Sequence, residues 1–184
     1  VREAALVANA YARLQVIERT LFGQLLPSYA SAHSRKFRVK DLAQILNAYA
    51  KVHLRSTAVF GALADRCREQ SEHMDCQAIS VIANAHARLL IVDEPLFSVL
   101  AGRLRACART CSLQAVSTLL NAYGKFGFTG KADGKDNNGQ LGGGLTAGVF
   151  ECLVAELHRF VGEMTSQSIC MMAHAVAKAG HHRW

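Results

Sequence analysis

The sequence predicts an all-α fold, a right-handed superhelical α-solenoid of about four and a half two-helix repeats of about 37 residues each. Three observations predict it. The stretch Asn47-Ala48-Tyr49-Ala50-Lys51 returns as Asn9-Ala10-Tyr11-Ala12-Arg13, as Asn84-Ala85-His86-Ala87-Arg88, as Asn121-Ala122-Tyr123-Gly124-Lys125 and more loosely as His174-Ala175-Val176-Ala177-Lys178, with steps of 38, 37, 37 and 53 between the leading residues. A second anchor, Phe22, Phe60, Phe97 and Phe150, repeats with steps of 38, 37 and 53. No segment alternates apolar and polar residues for long, and the only prolines are Pro27 and Pro95.

The anchors divide one helical-repeat domain, 1–184, into units of 1–37, 38–74, 75–111, 112–164 and a partial 165–184. The Asn-to-Phe spacing is 13 in the first three units and 29 in the fourth, so the fourth carries 16 extra residues between its anchors. In unit one a first helix spans Arg2 to Leu14 and a second spans about Glu18 to Ala32, kinked or shortened by Pro27. Unit two opens with Lys40 to Val52, and Ser56 or Thr57 caps a second helix carrying Phe60, Leu63, Ala64 and Cys67. Unit three has Asp75 as N-cap of its first helix, and Asp93-Glu94-Pro95 opens the second with acid at the positive dipole end. Ser112 caps unit four, whose first helix ends near Gly127. The stretch 129–146, rich in Gly, Asn, Asp and Lys, reads as a mobile loop on one rim. It lacks the Gly-Lys-Ser/Thr ending and the preceding strand of a nucleotide loop. The second helix resumes at Ala147, and unit five starts at Thr165.

Bulk properties bound the function. Apolar residues make up 51% of the 184, enough for a continuous core, and the net charge of +7 favours a polyanionic partner. No apolar run reaches the roughly 18–20 residues of a membrane span. Both ends look cut, so any targeting signal would lie upstream. Six cysteines lack paired Cys-x-x-Cys spacing and read as reduced, mostly buried thiols in a reducing compartment. His181 and His182 near the end read as no metal site. No cofactor and no metal are expected. No nucleophile, base and orienting group form a coherent set, so no enzyme is expected either.

Numbering each first helix from its Asn or His as zero separates its faces. Positions −5, −2 and +2 are apolar or aromatic in most units and predict the core face, with His86 at a core edge. Positions −4, +1 and +3 are small and allow close helix approach. The remaining stripe is the candidate interface. Position −7 holds Arg2, Lys40, Gln77, Gln114 and Gln167; position −3 holds Leu6, Gln44, Val81, Thr118 and Met171. Position zero holds Asn9, Asn47, Asn84, Asn121 and His174; position +4 holds Arg13, Lys51, Arg88, Lys125 and Lys178. Helices stacked at about 9–10 Å would align the last column into a cationic row about 40 Å long. A single-stranded RNA laid along it would place phosphates on the cations and base edges near the amides, which both donate and accept. Two structural alternatives compete: a late-helix cation also complements the dipole, and a mid-helix Asn also bonds the backbone of a neighbouring helix.

The first helix ending in Asn-Ala-Tyr/His-Ala-Lys/Arg, followed by a second opening with Leu/Val-Phe, resembles the heptatricopeptide and octotricopeptide repeats of organellar RNA-binding proteins, relatives of RAP-domain and FAST-kinase-like proteins. That resemblance covers essentially the whole chain, apart from the 16-residue insertion and the absent RAP domain. It implies an organellar RNA-binding protein, mitochondrial first and plastid second. The expected role is a ribosome component or ribosomal-RNA stabiliser among ribonucleoprotein subunits. No membrane or small-molecule partner is implied. By repeat position it implies that the −3, zero and +4 columns face RNA. The alternative is an armadillo-like scaffold for protein partners within a ribonucleoprotein.

Overall fold

The computed structural model describes residues 1–127 and 148–178. The expected loop at 129–146, Ala147 and the pair His181 and His182 lie outside the described residues, as does the side chain of Lys178. Among the described residues every regular element is helical. The first helices of the units are α1 (Arg2–Arg13), α3 (Val39–Lys51), α5 (Cys76–Leu89), α7 (Leu113–Lys125) and α9 (Ser166–Lys178). The second helices are α2 (Leu26–His33), α4 (Thr57–Glu69), α6 (Glu94–Cys107) and α8 (Val149–Glu156). First helices pack in the order α1, α3, α5, α7, α9, and second helices in the order α2, α4, α6, α8. The chain is therefore the expected all-α solenoid, two layers thick.

The caps follow the sequence. Ser56, Asp75, Asp93 and Ser112 each accept the backbone N–H three residues on, at 3.3, 2.8, 2.9 and 3.2 Å. Thr165 Oγ1 accepts from Ser168 N at 3.2 Å. Pro27 acts in unit one as expected: a π-helical turn, Leu21–Leu25, precedes a short α2 with the proline in its first turn. Each second helix runs on into a 3-10 turn, at Ser34–Lys36, Ser71–His73, Ala108–Thr110 and Leu157–Glu163.

The core is a ladder between layers. Phe22, Phe60, Phe97 and Phe150 are fully buried, each worth about 1.5–3 kcal/mol of transfer free energy. The +2 residue of units two to four reaches the phenylalanine of the unit before it. Tyr49 donates its hydroxyl to the Phe22 carbonyl at 2.6 Å, and Tyr123 donates to the Phe97 carbonyl at 3.0 Å. His86 takes the same place, edge-on to Phe60 at 4.8 Å between ring centroids. The small columns let the first helices touch: Ala5 and Ala12 in α1, Ala48 and Ala50 in α3, and Ala85 and Ala87 in α5 are all buried, while Ala10 in α1 is exposed.

Two expectations need correction. The core face at −5, −2 and +2 is buried in the three middle units but open at the ends, with Val7, Tyr11 and Ile169 exposed. Among the described residues α1 has no second helix before it to pack on, whereas in α9 Met172 and Val176 of the same face are buried in the core and only Ile169 is exposed. The cysteines are not all free. Cys76, at the start of α5, and Cys111, at the junction before α7, form a disulfide. Cys107 Sγ lies 3.2 Å from Cys76 Sγ.

The first helices of the first four units end the same way. Gln15, His53, Leu90 and Gly127, at +6 in their units, all have left-handed φ of 54–72°. The next backbone N–H in the first three units bonds back to the carbonyl of the +2 residue, at 3.0 Å from Val16 to Tyr11, Leu54 to Tyr49 and Ile91 to His86.

Candidate nucleic-acid interface

Helical spacing that buries −5, −2 and +2 turns −7, −3, zero and +4 outward. The structure agrees residue by residue. Arg2, Lys40, Gln77, Gln114 and Gln167 are exposed; Gln44, Val81, Thr118 and Met171 are half-buried, and Leu6 is exposed. Asn9, Asn47, Asn84 and Asn121 are half-buried, and His174 is exposed. Arg13, Arg88 and Lys125 are exposed and Lys51 half-buried.

Adjacent columns meet in a cleft of about 540 Å³ over α1, α3 and α5. Its floor is apolar, from Val39, Ala43, Ala78 and Val81, and its rim is polar, from Asn9, Lys40, Gln44, Asn47 and Gln77. Apolar floors with a few polar groups suit a flat heterocycle. His73 and Asp75 complete the lining. The +4 cations Arg13, Lys51, Arg88 and Lys125 do not line this cleft; they lie one helical turn beyond its asparagines.

A second cleft of about 580 Å³ lies beside it, lined by Arg2, Lys36, Arg38 and Lys40 together with Val1, Glu3 and Asp41. Lys40 borders both. Lys36 and Arg38 were not expected at the interface. The signal was the run Arg35-Lys36-Phe37-Arg38-Val39-Lys40, four cations in six residues, which reads first as a unit junction.

Charge pairing separates the two layers. The side-chain ion pairs among the described residues join Arg66 to Glu69, Arg68 to Asp65 and Asp93, and Arg159 to Glu156. All belong to second helices, their caps or the turns that follow them. Two arginines there also act as staples, Arg66 among them: Arg66 Nε donates to the Phe37 carbonyl at 2.9 Å and Arg103 Nε to the Met74 carbonyl at 3.0 Å. On the first-helix face, Arg13, Lys40, Lys51 and Lys125 have no carboxylate partner among the described residues. Arg88 donates to His53 Nε2 at 3.2 Å, which holds the guanidinium between α3 and α5. The side-chain amides of Asn9, Asn47, Asn84 and Asn121 form no hydrogen bond among the described residues, so the inter-helix bonding alternative for this column is not what the structure shows.

His86 is a core residue. Its Nδ1 bonds the Ile82 carbonyl at 2.9 Å, its Nε2 is buried without a partner, and burial lowers its pKa below the ordinary value. Among the described residues no His, Cys, Asp and Glu cluster is placed to hold a metal, and no helix is long and apolar enough to cross a membrane.

A family model described as the RNA-editing substrate-binding complex 6 protein, RESC6, matches residues 1–132. The chain belongs to that family. The RESC6 match covers the first three units, the first helix of the fourth, and both clefts. A comparison with curated proteins returns no match. The family corrects the resemblance to heptatricopeptide, octotricopeptide, RAP-domain and FAST-kinase-like proteins, which does not hold. The physical reason lies in the repeated pentapeptide. Its tyrosine bonds the previous phenylalanine carbonyl and its alanines fill helix contacts. Such a motif reports close stacking of helix pairs, which unrelated solenoids share.

Proposed function

We propose that this RESC6-family chain binds single-stranded RNA along its first-helix face, as a non-catalytic subunit of a mitochondrial RNA-editing substrate complex. The observation that carries the reading is the segregation of charge. Acids pair with Arg66, Arg68 and Arg159 of the second-helix layer, while Arg13, Lys40, Lys51 and Lys125 and four Asn amides on the other face have no internal partner among the described residues. A dipole role alone explains the +4 cations but not the cationic cleft at helix starts, where positive charge opposes the dipole. The family description supports an editing substrate over the ribosome or ribosomal RNA as the assembly served.

The test is fluorescence anisotropy with a 15-nucleotide single strand and its duplex across a salt series. Five phosphate contacts give a log–log salt slope of about −3.5, at about −0.7 per contact. Lys51→Glu with Arg88→Glu should weaken the single-strand complex more than tenfold and reduce the slope by about 1.4. A flat salt response, or equal affinity in the double variant, rejects the reading.

A further inference from the structure

The gaps between successive first helices are built on one register, yet they carry different chemistry. At the α1–α3 gap the residues before the second of the two helices are Lys36 and Arg38. At the α3–α5 gap the same positions hold His73 and Asp75, and at the α5–α7 gap Thr110 and Ser112. The first gap is the cationic cleft and the second is the amide-rimmed cleft, with Lys40 on the border of both. The carboxylates of the first gap, Glu3 and Asp41, lie among its cations, whereas the second gap sets Asp75 beside the unpartnered amides of Gln44 and Asn47.

We propose that the α3–α5 cleft is a guanine-selective base pocket, entered by an unpaired nucleotide whose phosphate is held at the neighbouring cationic cleft. The proposal rests on the single-stranded RNA reading above and names what one position of that strand must be. Asp75 decides the base. Its Oδ1 accepts the Ala78 N–H at 2.8 Å, and Oδ2 has no hydrogen-bond partner among the described residues. An ionised carboxylate only accepts hydrogen bonds. Guanine alone presents two adjacent donors on its pairing edge, N1–H and the 2-amino group. Uracil sets one N–H between two carbonyls, which a carboxylate repels, while adenine and cytosine set an acceptor beside one amino group. The Gln44 and Asn47 amides supply donors for the guanine O6 and N7. The faces of the ring meet the apolar floor of Ala43 and Ala78. Lys40, shared with the cationic cleft, ties the base position to the backbone position before it.

The experiment uses the whole chain and four fluorescein-labelled nonamers, U4-N-U4 with N as G, A, C or U. The G nonamer is expected to bind on the order of tenfold tighter than the other three, the discrimination of one bidentate base contact. Asp75→Asn keeps the helix cap, since Asn caps about as well as Asp. It is expected to abolish the G preference, so that the G nonamer binds no tighter than the all-U nonamer. Equal binding of all four nonamers, or a G preference that survives Asp75→Asn, overturns the pocket. A second measurement separates this from failure of the groove reading. Guanosine 5′-monophosphate and uridine 5′-monophosphate are titrated while the Gln44 and Asn47 side-chain amide resonances are followed. Shifts with the guanosine nucleotide alone support the pocket even where no nonamer binds. Absence of shifts with either nucleotide overturns it.

Discussion

His86 stands where Tyr49 and Tyr123 stand in their units, and it does the job less completely. Both tyrosines send a hydroxyl to the carbonyl of the preceding phenylalanine, whereas the imidazole turns its Nδ1 back on its own helix and leaves Nε2 buried without a partner. Burial is the largest influence on its pKa and lowers it. The unfolded chain therefore takes up a proton near pH 6.5 that the folded chain refuses, so this residue's contribution is intact above that pH and is lost as pH falls below it. His86→Tyr should place a hydroxyl on the Phe60 carbonyl, add about 1 kcal/mol at neutral pH, and flatten the acid limb of the stability curve. Urea titrations at pH 5 and pH 7.5 check both parts; an unchanged difference between the two pH values contradicts the assignment. The +2 column was legible in the sequence as core face, with His86 read at its edge. The orphan nitrogen was not, because only the fold shows that the helix carbonyl captures the other one.

At the scale of the element, boundaries were read well where a side chain makes them. Ser56, Asp75, Asp93 and Ser112 were legible as caps because a short polar side chain ahead of an apolar period has one local use. The Arg66 and Arg103 staples into junction carbonyls were not legible, because they join residues 29 apart in sequence. Asp75 was read only as a cap, and its second free oxygen became visible once the α3–α5 cleft existed. Close approach of α7 and α9 shows what the small columns do. A Cβ on Gly124 would lie 3.1 Å from the Ala175 carbonyl oxygen and 3.3 Å from its Cα. Gly124→Ala should be near neutral, since a gain of about 1 kcal/mol in helix propensity offsets a push of a few tenths of an ångström. Gly124→Val has no such room and should cost about 1–3 kcal/mol. Hydrogen exchange should place the loss in α9 (Ser166–Lys178), and uniform loss across the stack would contradict a local contact.

For the whole molecule, the period carried the architecture, because contacts in a solenoid are made between neighbouring units and one unit's pattern is every unit's pattern. That same regularity hid what differs between units. The six cysteines have no repeat, and the Cys76–Cys111 bond ties the start of unit three to its last residue over 35 residues. Closing a loop of that length is worth about 3–4 kcal/mol in the chain-entropy account. Dithiothreitol, or Cys111→Ser, should lower the denaturant midpoint by a corresponding amount, and a midpoint that does not move would show the bond contributes nothing. The cationic and amide columns were legible as a shared outward stripe. Their sorting into a phosphate-sized basic cleft and an amide-rimmed one was not, since it turns on Lys36, Arg38, His73 and Asp75, which belong to the junctions between helices.

The left-handed residue after each first helix has a consequence for how such a surface changes over time. Three of the four positions, Gln15, His53 and Leu90, carry a side chain where glycine would fit with less strain. All three are exposed, and His53 already steers Arg88. The margin of the groove thus has one replaceable side chain per storey, set on a backbone hook that does not depend on its identity. Drift there retunes the ligand lip while the stack beneath stays as it is.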